Sequence, residues 1–242
     1  MTTTSTGSDD EEETISLEAL RALGEALGHN QPLADINFHG KQLTDEHLAA
    51  FVDGLAANQH LRIVALGGLG HMPYSSPKLV SSHHNSSGNA LTPKGLEALF
   101  TALEKNQVTD VEINSFVIVP RYESPTHTLT SFFSPIFHTG IQCGDEGAFI
   151  VARHIAKTRV EKLDVSGQGM TGVGLSALAS ALTASAVREL DISENEVGST
   201  GINDFCRAMD GNTTLQVLTA TGLPHRHQHF QVLLVHNFFN RV

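Results

Sequence analysis

Residues 160–182 read VEKLDVSGQGMTGVGLSALASAL, and residues 187–209 read VRELDISENEVGSTGINDFCRAM. The two stretches lie 27 residues apart, and a fixed spacing of this size is typical of repeat proteins. The aligned pairs are Val160 with Val187, Leu163 with Leu190, Val165 with Ile192, Gln168 with Asn195, Met170 with Val197, and Gly174 with Gly201. The pattern predicts that each copy is a short strand followed by a helix.

Further copies of this unit are recognisable on both sides of the pair. Their apolar strand positions are Leu33, Ile36 and Phe38; Leu61, Val64 and Leu66; Val108, Val111 and Ile113; and Leu215, Leu218 and Ala220, before Leu223. In the second and third copies an insertion separates the strand from its helix, near residues 69–88 and 117–140. The chain therefore contains about six copies, which we number repeats 1 to 6.

A single repeat cannot bury its own apolar side, so neighbouring repeats have to cover it. Each buried leucine side chain stabilises the fold by about 1.5 to 3 kcal/mol. Because every repeat has the same strand-to-helix order, we predict parallel strands joined by right-handed connections. We expect a disordered acidic tail at 1–14, one repeat domain at 15–242 that begins with a helix over 17–27, and a cap near 224–242.

The period of 27 to 28 residues with a full helix resembles the ribonuclease-inhibitor class of leucine-rich repeats. The Ran GTPase-activating protein, tropomodulin-like caps and the sensor arm of nucleotide-binding receptors belong to the same class. The chain departs from the pattern at Lys41 and Ile141, where the class has asparagine, and at the two insertions. The resemblance implies an α/β solenoid, a short horseshoe arc with parallel strands on the concave side and helices on the convex side. It also implies protein recognition rather than catalysis.

Composition narrows the possible partners and compartments. The formal net charge is −11, and five consecutive acids occupy residues 9–13. An acidic chain is a poor match for the phosphates of nucleic acid, so we exclude that partner. The two cysteines lie far apart and no secretory signal opens the sequence, which predicts a reducing, cytoplasmic setting. No apolar run approaches the roughly 20 residues that span a bilayer.

The residues that alternate with the inward leucines should face the concave side. Strands in a sheet lie about 4.8 Å apart, so their carboxylates would form one negative field, opposed chiefly by Lys162. We predict that this face binds a protein with a basic surface; the alternative is that the acids only keep the face solvated. The candidate binding residues are Asp35, Asn37, His39, Asp110, Glu112, Asn114, Asp164, Glu189 and Asp191.

The second insertion is a further candidate binding surface, because it is too apolar for an unattached loop. It contains Phe116, Val117, Ile118, Val119, Phe132, Phe133, Ile136 and Phe137. We expect a hairpin over the rim, whose aromatics either pack on the solenoid or contact a partner. Arg121, Tyr122, Phe132 and Phe133 are its candidate contact residues.

Two alternatives would give the chain a different function. One is regulation of a small GTPase, for which Arg121 lies in a strand-to-helix loop. The other is a nucleotide-dependent enzyme, since Gly167, Gly169 and Gly172 form G-x-G-x-x-G ahead of Asp191. The matching turn of repeat 5 lacks those glycines, so ordinary turn chemistry explains them better. The 14 histidines include no convincing zinc-ligand set. We therefore predict no catalytic activity, cofactor or metal, and the oligomeric state stays open.

Overall fold

The structure, a computed structural model, describes residues 15–29, 32–67, 89–118 and 137–221. In chain order its elements are α1 (Leu17–Gly28), β1 (Asp35–Asn37), α2 (Asp45–Ala49), α3 (Val52–Ala57), β2 (Ile63–Ala65), α4 (Pro93–Leu103), β3 (Asp110–Glu112), β4 (Ser115–Ile118), β5 (Phe137–Gly140), α5 (Gly144–His154), a 3-10 turn (Ile155–Lys157), β6 (Lys162–Asp164), α6 (Gly172–Leu182), β7 (Glu189–Asp191), α7 (Ser199–Ala208) and β8 (Val217–Thr219). The alternation of strand and helix agrees with the predicted repeat unit.

Six of these strands form one open parallel sheet. Their order is β1-β2-β3-β6-β7-β8, which is the order of the repeats along the chain. The register pairs the same repeat position on every neighbouring strand, as in Lys162 with Glu189 and Leu163 with Leu190. The predicted α/β solenoid of about six stacked repeats is therefore confirmed.

The core is the column of strand-centre residues together with the inner side of the helices. Leu163 and Leu190 are opposite each other on neighbouring strands, and both are buried. The same position is buried in every strand of the sheet, at Ile36, Val64, Val111, Leu163, Leu190 and Leu218. The helices add a second apolar layer that includes Leu96, Val151, Leu178 and Phe205.

Each helix packs against the helix of the next repeat, and two of these contacts are made through glycine. A Cβ atom at Gly201 of α7 would lie 2.8 Å from the Cα of Gly172 in α6. At the other end, a Cβ at Gly24 of α1 would lie 2.9 Å from the Cα of Phe51, and the Cβ of an alanine at Gly54 would clash with the Gly24 backbone. Side chains would not fit at these positions, so backbone lies against backbone there.

Buried amide side chains join neighbouring repeats beneath the turns that follow the strands. Asn195 accepts a bond from the Met170 N–H (3.0 Å) and donates to the carbonyls of Val165 (2.9 Å) and Ile192 (3.0 Å). Asn89 does the same between repeats 1 and 2, accepting from the Leu43 N–H at 2.8 Å. The consensus asparagine is thus an inter-repeat connector.

One predicted core residue is exposed, and the second predicted insertion is described only at its two ends. Leu33 was expected to point inward but is 37% exposed, because β1 is an edge strand with a repeat on one side only. The second insertion begins and ends as an antiparallel pair, β4 with β5, as the hairpin prediction requires. The rest of that insertion, the first insertion, the acidic tail and the C-terminal cap lie outside the described residues.

None of the helices in the described ranges is long and apolar enough to cross a bilayer.

Candidate functional site

The concave face of the sheet carries two rows of side chains that run across all six strands. One row is Asp35, Ile63, Asp110, Lys162, Glu189 and Val217; the other is Asn37, Ala65, Glu112, Asp164, Asp191 and Thr219. The side chains are exposed or half-buried, except for Ala65, which is buried. The register thus aligns six carboxylates and a single lysine across one surface, as the sequence predicted.

Three residues of the second row also shape the turns after the strands. Asn37, Asp164 and Asp191 each accept a bond from the backbone N–H two residues further on, at 3.0, 2.9 and 2.8 Å. This is the Asx turn, which asparagine and aspartate make more readily than other residues. An aspartate at this position therefore has a structural role in the turn besides its charge. That role supports the alternative in which these acids are present for reasons other than binding a partner.

The other acids on the face differ in how strongly they are engaged. Lys162 and Glu189 form an ion pair of 3.4 Å, and His39 Nε2 lies 3.3 Å from a Glu112 oxygen. Asp110 accepts a 2.7 Å bond from the Thr109 hydroxyl, whereas Asp35 is exposed at the edge strand. Two of the six acids, Glu189 and Glu112, thus lie within 3.4 Å of a basic side chain.

Glu194 lies at the turn after β7, close to Asp191. Burial raises the pKa of its carboxyl above the ordinary value, and the nearby negative charge of Asp191 raises it further. Of these two causes, only the charge of Asp191 would be relieved by a nearby cation; burial would not.

The hairpin insertion starts beside this face. Asn114, the last residue before β4, donates a 2.7 Å bond from Nδ2 to the Asp164 carboxylate. Asn114 thus links repeat 3 to the acidic row of repeat 4. The rim candidates, Arg121, Tyr122, Phe132 and Phe133, lie outside the described residues. The GTPase alternative depends on Arg121 and is therefore not tested by the structure.

The glycines of the G-x-G-x-x-G sequence have structural roles in the turn between β6 and α6. The Gly167 N–H donates to the Ser193 carbonyl at 2.9 Å, Gly169 has a φ of +71°, and Gly172 lies against Gly201. Asp191, the acid that would bind a ribose, holds the Ser193 N–H instead. Within the described ranges, no cluster of His, Cys, Asp or Glu is arranged to hold a metal ion.

Sequence reasoning missed a set of carboxylates that join one helix to the next. Asp145, at the start of α5, accepts bonds from the Thr171 N–H (2.8 Å), the Thr171 hydroxyl (2.7 Å) and the Gly174 N–H (3.0 Å). Asp45 holds the N–H and hydroxyl of Thr92 in the same way. The available signal was that Thr92 and Thr171 are helix caps and that an aspartate begins the preceding repeat's helix. A second missed set surrounds His154, whose ring nitrogens lie 2.6 Å from a Glu104 oxygen and 3.1 Å from a Glu97 oxygen.

Comparison with known proteins adds two findings. A family model described as "Leucine Rich repeat" matches residues 186–206, which include β7 and most of α7. Among solved structures, the chain is similar to one titled "Leiomodin-1 Actin-Binding Site 2 (ABS2)", with a TM-score of 0.40 and 14% sequence identity. That similarity covers 86% of this chain and 80% of the other.

Proposed function

We propose that this leucine-rich-repeat solenoid binds another protein through the concave face of its sheet, and that the partner presents basic side chains to it. The observation that supports this most directly is the strand register. Of the twelve strand residues in the two concave rows, six are acidic and Lys162 alone is basic. Neighbouring strands are about 4.8 Å apart, so a basic segment lying across them would meet one carboxylate after another.

The proposal includes the finer classification and compartment that the sequence suggests. The 27-residue repeat with a full helix supports our assignment of the solenoid to the ribonuclease-inhibitor class. Cys143 is a buried free thiol whose pKa is raised to about 12 by burial, and Cys206 is also free. Two unpaired thiols suit a reducing compartment, so we place the protein in the cytoplasm.

A charge-neutralised bait tests the concave face. The bait carries Asp35→Asn, Asp110→Asn, Glu112→Gln, Asp164→Asn, Glu189→Gln and Asp191→Asn. Asparagine retains the oxygen that forms the Asx turn, so the changes remove charge but leave the turns intact. In quantitative affinity purification we expect partners of the wild-type chain to be lost from this bait and to be weakened by added salt.

The matched control removes the same charge from exposed positions that lie outside the two rows: Glu18→Gln, Glu25→Gln, Asp53→Asn, Glu146→Gln, Asp204→Asn and Asp210→Asn. We expect this bait to retain the partners. Equal loss from both baits would mean that net charge alone governs capture, and retention by the concave variant would refute the proposal. Loss only on excision of residues 119–136 would move the binding surface to the rim insertion.

A further inference from the structure

Ile63 is an exposed aliphatic side chain on the concave face. It belongs to the first of the two rows and is 39% exposed, whereas the next residue on β2, Val64, is fully buried in the core. Isolated exposed aliphatic residues are common on protein surfaces. Ile63 differs because the register places Asp35 of β1 on one side of it and Asp110 of β3 on the other. The first row thus has an aliphatic group between two carboxylates.

The nearby cations are engaged elsewhere. Arg62 donates to two backbone carbonyls of the segment before β2, each at 3.0 Å. Lys162 lies next to Asp110 in the register but pairs with Glu189 on its other side, at 3.4 Å. Among the described residues, neither Asp35 nor Asp110 forms an ion pair. Both carboxylates can therefore receive a basic side chain from a partner.

The spacing of these three side chains favours a helix over an extended segment in the partner. Neighbouring strands are about 4.8 Å apart, so Asp35 and Asp110 are about 9.6 Å apart with Ile63 midway between them. Helix residues i, i+3 and i+7 lie on one face, at about 0, 4.5 and 10.5 Å along the axis. In an extended chain the residues on one face are i, i+2 and i+4, at about 0, 6.7 and 13.4 Å. The helical spacing departs from that of the strands by about 1 Å at most, and the extended spacing by about 2 and 4 Å.

These observations specify the chemistry of the partner, and the inference rests on the proposed function. We propose that the partner lays a helix across β1, β2 and β3, with an aliphatic side chain at i+3 between basic side chains at i and i+7. The aliphatic side chain packs on Ile63, and the basic side chains reach Asp35 and Asp110. Burial of Ile63 strengthens binding, while the two charge pairs fix the position of the helix on the face.

Two synthetic peptides test this arrangement at constant charge. Both are alanine-rich helices with arginine at i and i+7; one carries leucine at i+3 and the other glutamine. Dissociation constants are measured with the full chain by fluorescence anisotropy at low salt, where charge pairs are least screened. We expect the wild-type chain to bind the leucine peptide about fivefold more tightly, because only leucine buries apolar surface on Ile63.

A matched pair of variants locates the contact. In Ile63→Asn the preference for leucine should disappear while the arginines still bind. Val217→Asn makes a similar change in the same row on β8, away from the two carboxylates, and should keep the wild-type preference. If circular dichroism shows that Ile63→Asn does not fold, Ile63→Thr takes its place, since threonine keeps the β-branched shape that suits a strand.

The possible results separate this inference from the proposed function. Equal binding of both peptides by the wild-type chain would overturn the inference and leave the proposed function standing. An unchanged preference in the Ile63 variant, or its loss in Val217→Asn, would overturn the contact with Ile63. Tighter binding of an extended peptide with arginine, leucine and arginine at i, i+2 and i+4 would overturn the helix. If the wild-type chain binds none of the three peptides, the proposed function fails as well.

Discussion

Two neighbouring junctions in the solenoid are held by different hydrogen bonds. One joins repeats 4 and 5, and the other joins repeats 3 and 4. Asn195, at the first junction, uses both its oxygen and its nitrogen to connect the two repeats. Gln168, at the second, donates from Nε2 to the carbonyls of Ile113 and Ile141, but its buried Oε1 has no hydrogen-bond partner among the described residues. A small cavity lies beside Gln168, lined in part by Ala148 and Val151.

The helix ends show the opposite difference. Between repeats 3 and 4, Asp145 reaches across to three donors of the next helix start. Between repeats 4 and 5 the corresponding residue is Gly172, which lies against Gly201 and offers no side chain. The junction with the weaker amide connection thus has the stronger carboxylate connection. Consecutive repeats of one solenoid can therefore be joined by different sets of bonds over the same leucine core.

Removing an amide side chain should lower the stability most at Asn195, where both the oxygen and the nitrogen form hydrogen bonds. Asn195→Ala leaves the buried Met170 N–H and the Val165 carbonyl without partners, and we expect it to lower the free energy of unfolding by about 3 kcal/mol. Gln168→Ala should cost about 1 kcal/mol, because it also removes an oxygen that has no partner. Urea unfolding followed by circular dichroism measures both. Equal costs would show that the two junctions do not differ as described.

Removing a carboxylate that joins two helices should lower the stability less than removing the Asn195 side chain. The loss should be larger between repeats 3 and 4 than between repeats 1 and 2. Asp145→Ala removes three bonds to the start of α6, and we expect a loss of about 1 to 2 kcal/mol. Asp45→Ala is the control; it removes two bonds at an exposed site where Asn89 remains, and should cost about 0.5 kcal/mol. The same unfolding measurement applies. A larger loss for Asp45→Ala than for Asp145→Ala would contradict the idea that the carboxylate compensates for the weaker amide connection between repeats 3 and 4.

Exchanging the two amides should have small effects of opposite sign. Met170 and Cys143 occupy equivalent repeat positions, so in Gln168→Asn the shorter side chain should accept from the Cys143 N–H as Asn195 does from Met170. We expect a gain of about 0.5 kcal/mol, and a loss of about 1 kcal/mol for the reverse change, Asn195→Gln. Chemical denaturation of the pair measures this. A loss in both would mean that each site is already matched to its own residue.

The sheet and its face were predictable because both depend on a period that is visible in the chain. Once Leu163 and Leu190 share a repeat position, Asp164 and Asp191 share the next one, and stacking aligns them. Among the described leucines that were expected to point inward, Leu33 is exposed and Leu215 is half-buried. Both lie where the stack ends, and the period alone cannot indicate exposure there.

The contacts between helices were not predictable in the same way. Glu104 and His154 are separated by 50 positions with an insertion between them, so their approach depends on how far α4 and α5 are shifted along their axes. That shift results from packing of whole helices rather than from any local pattern. The Asp145 contact to Thr171 was closer to prediction, since both residues begin helices of adjacent repeats.

The glycine contacts between helices govern the bend of the solenoid. Hydrogen bonds keep neighbouring strands about 4.8 Å apart, so the radius of curvature depends on the spacing of the helices on the outside. Where Gly172 lies against Gly201, and Gly24 against Phe51, the helices leave no room for a side chain between them. A bulkier residue at Gly201 would spread α6 from α7 without touching a strand, and would bring the two ends of the acidic face closer together. Curvature and surface charge can therefore change independently, one through the outer layer and the other through the inner one.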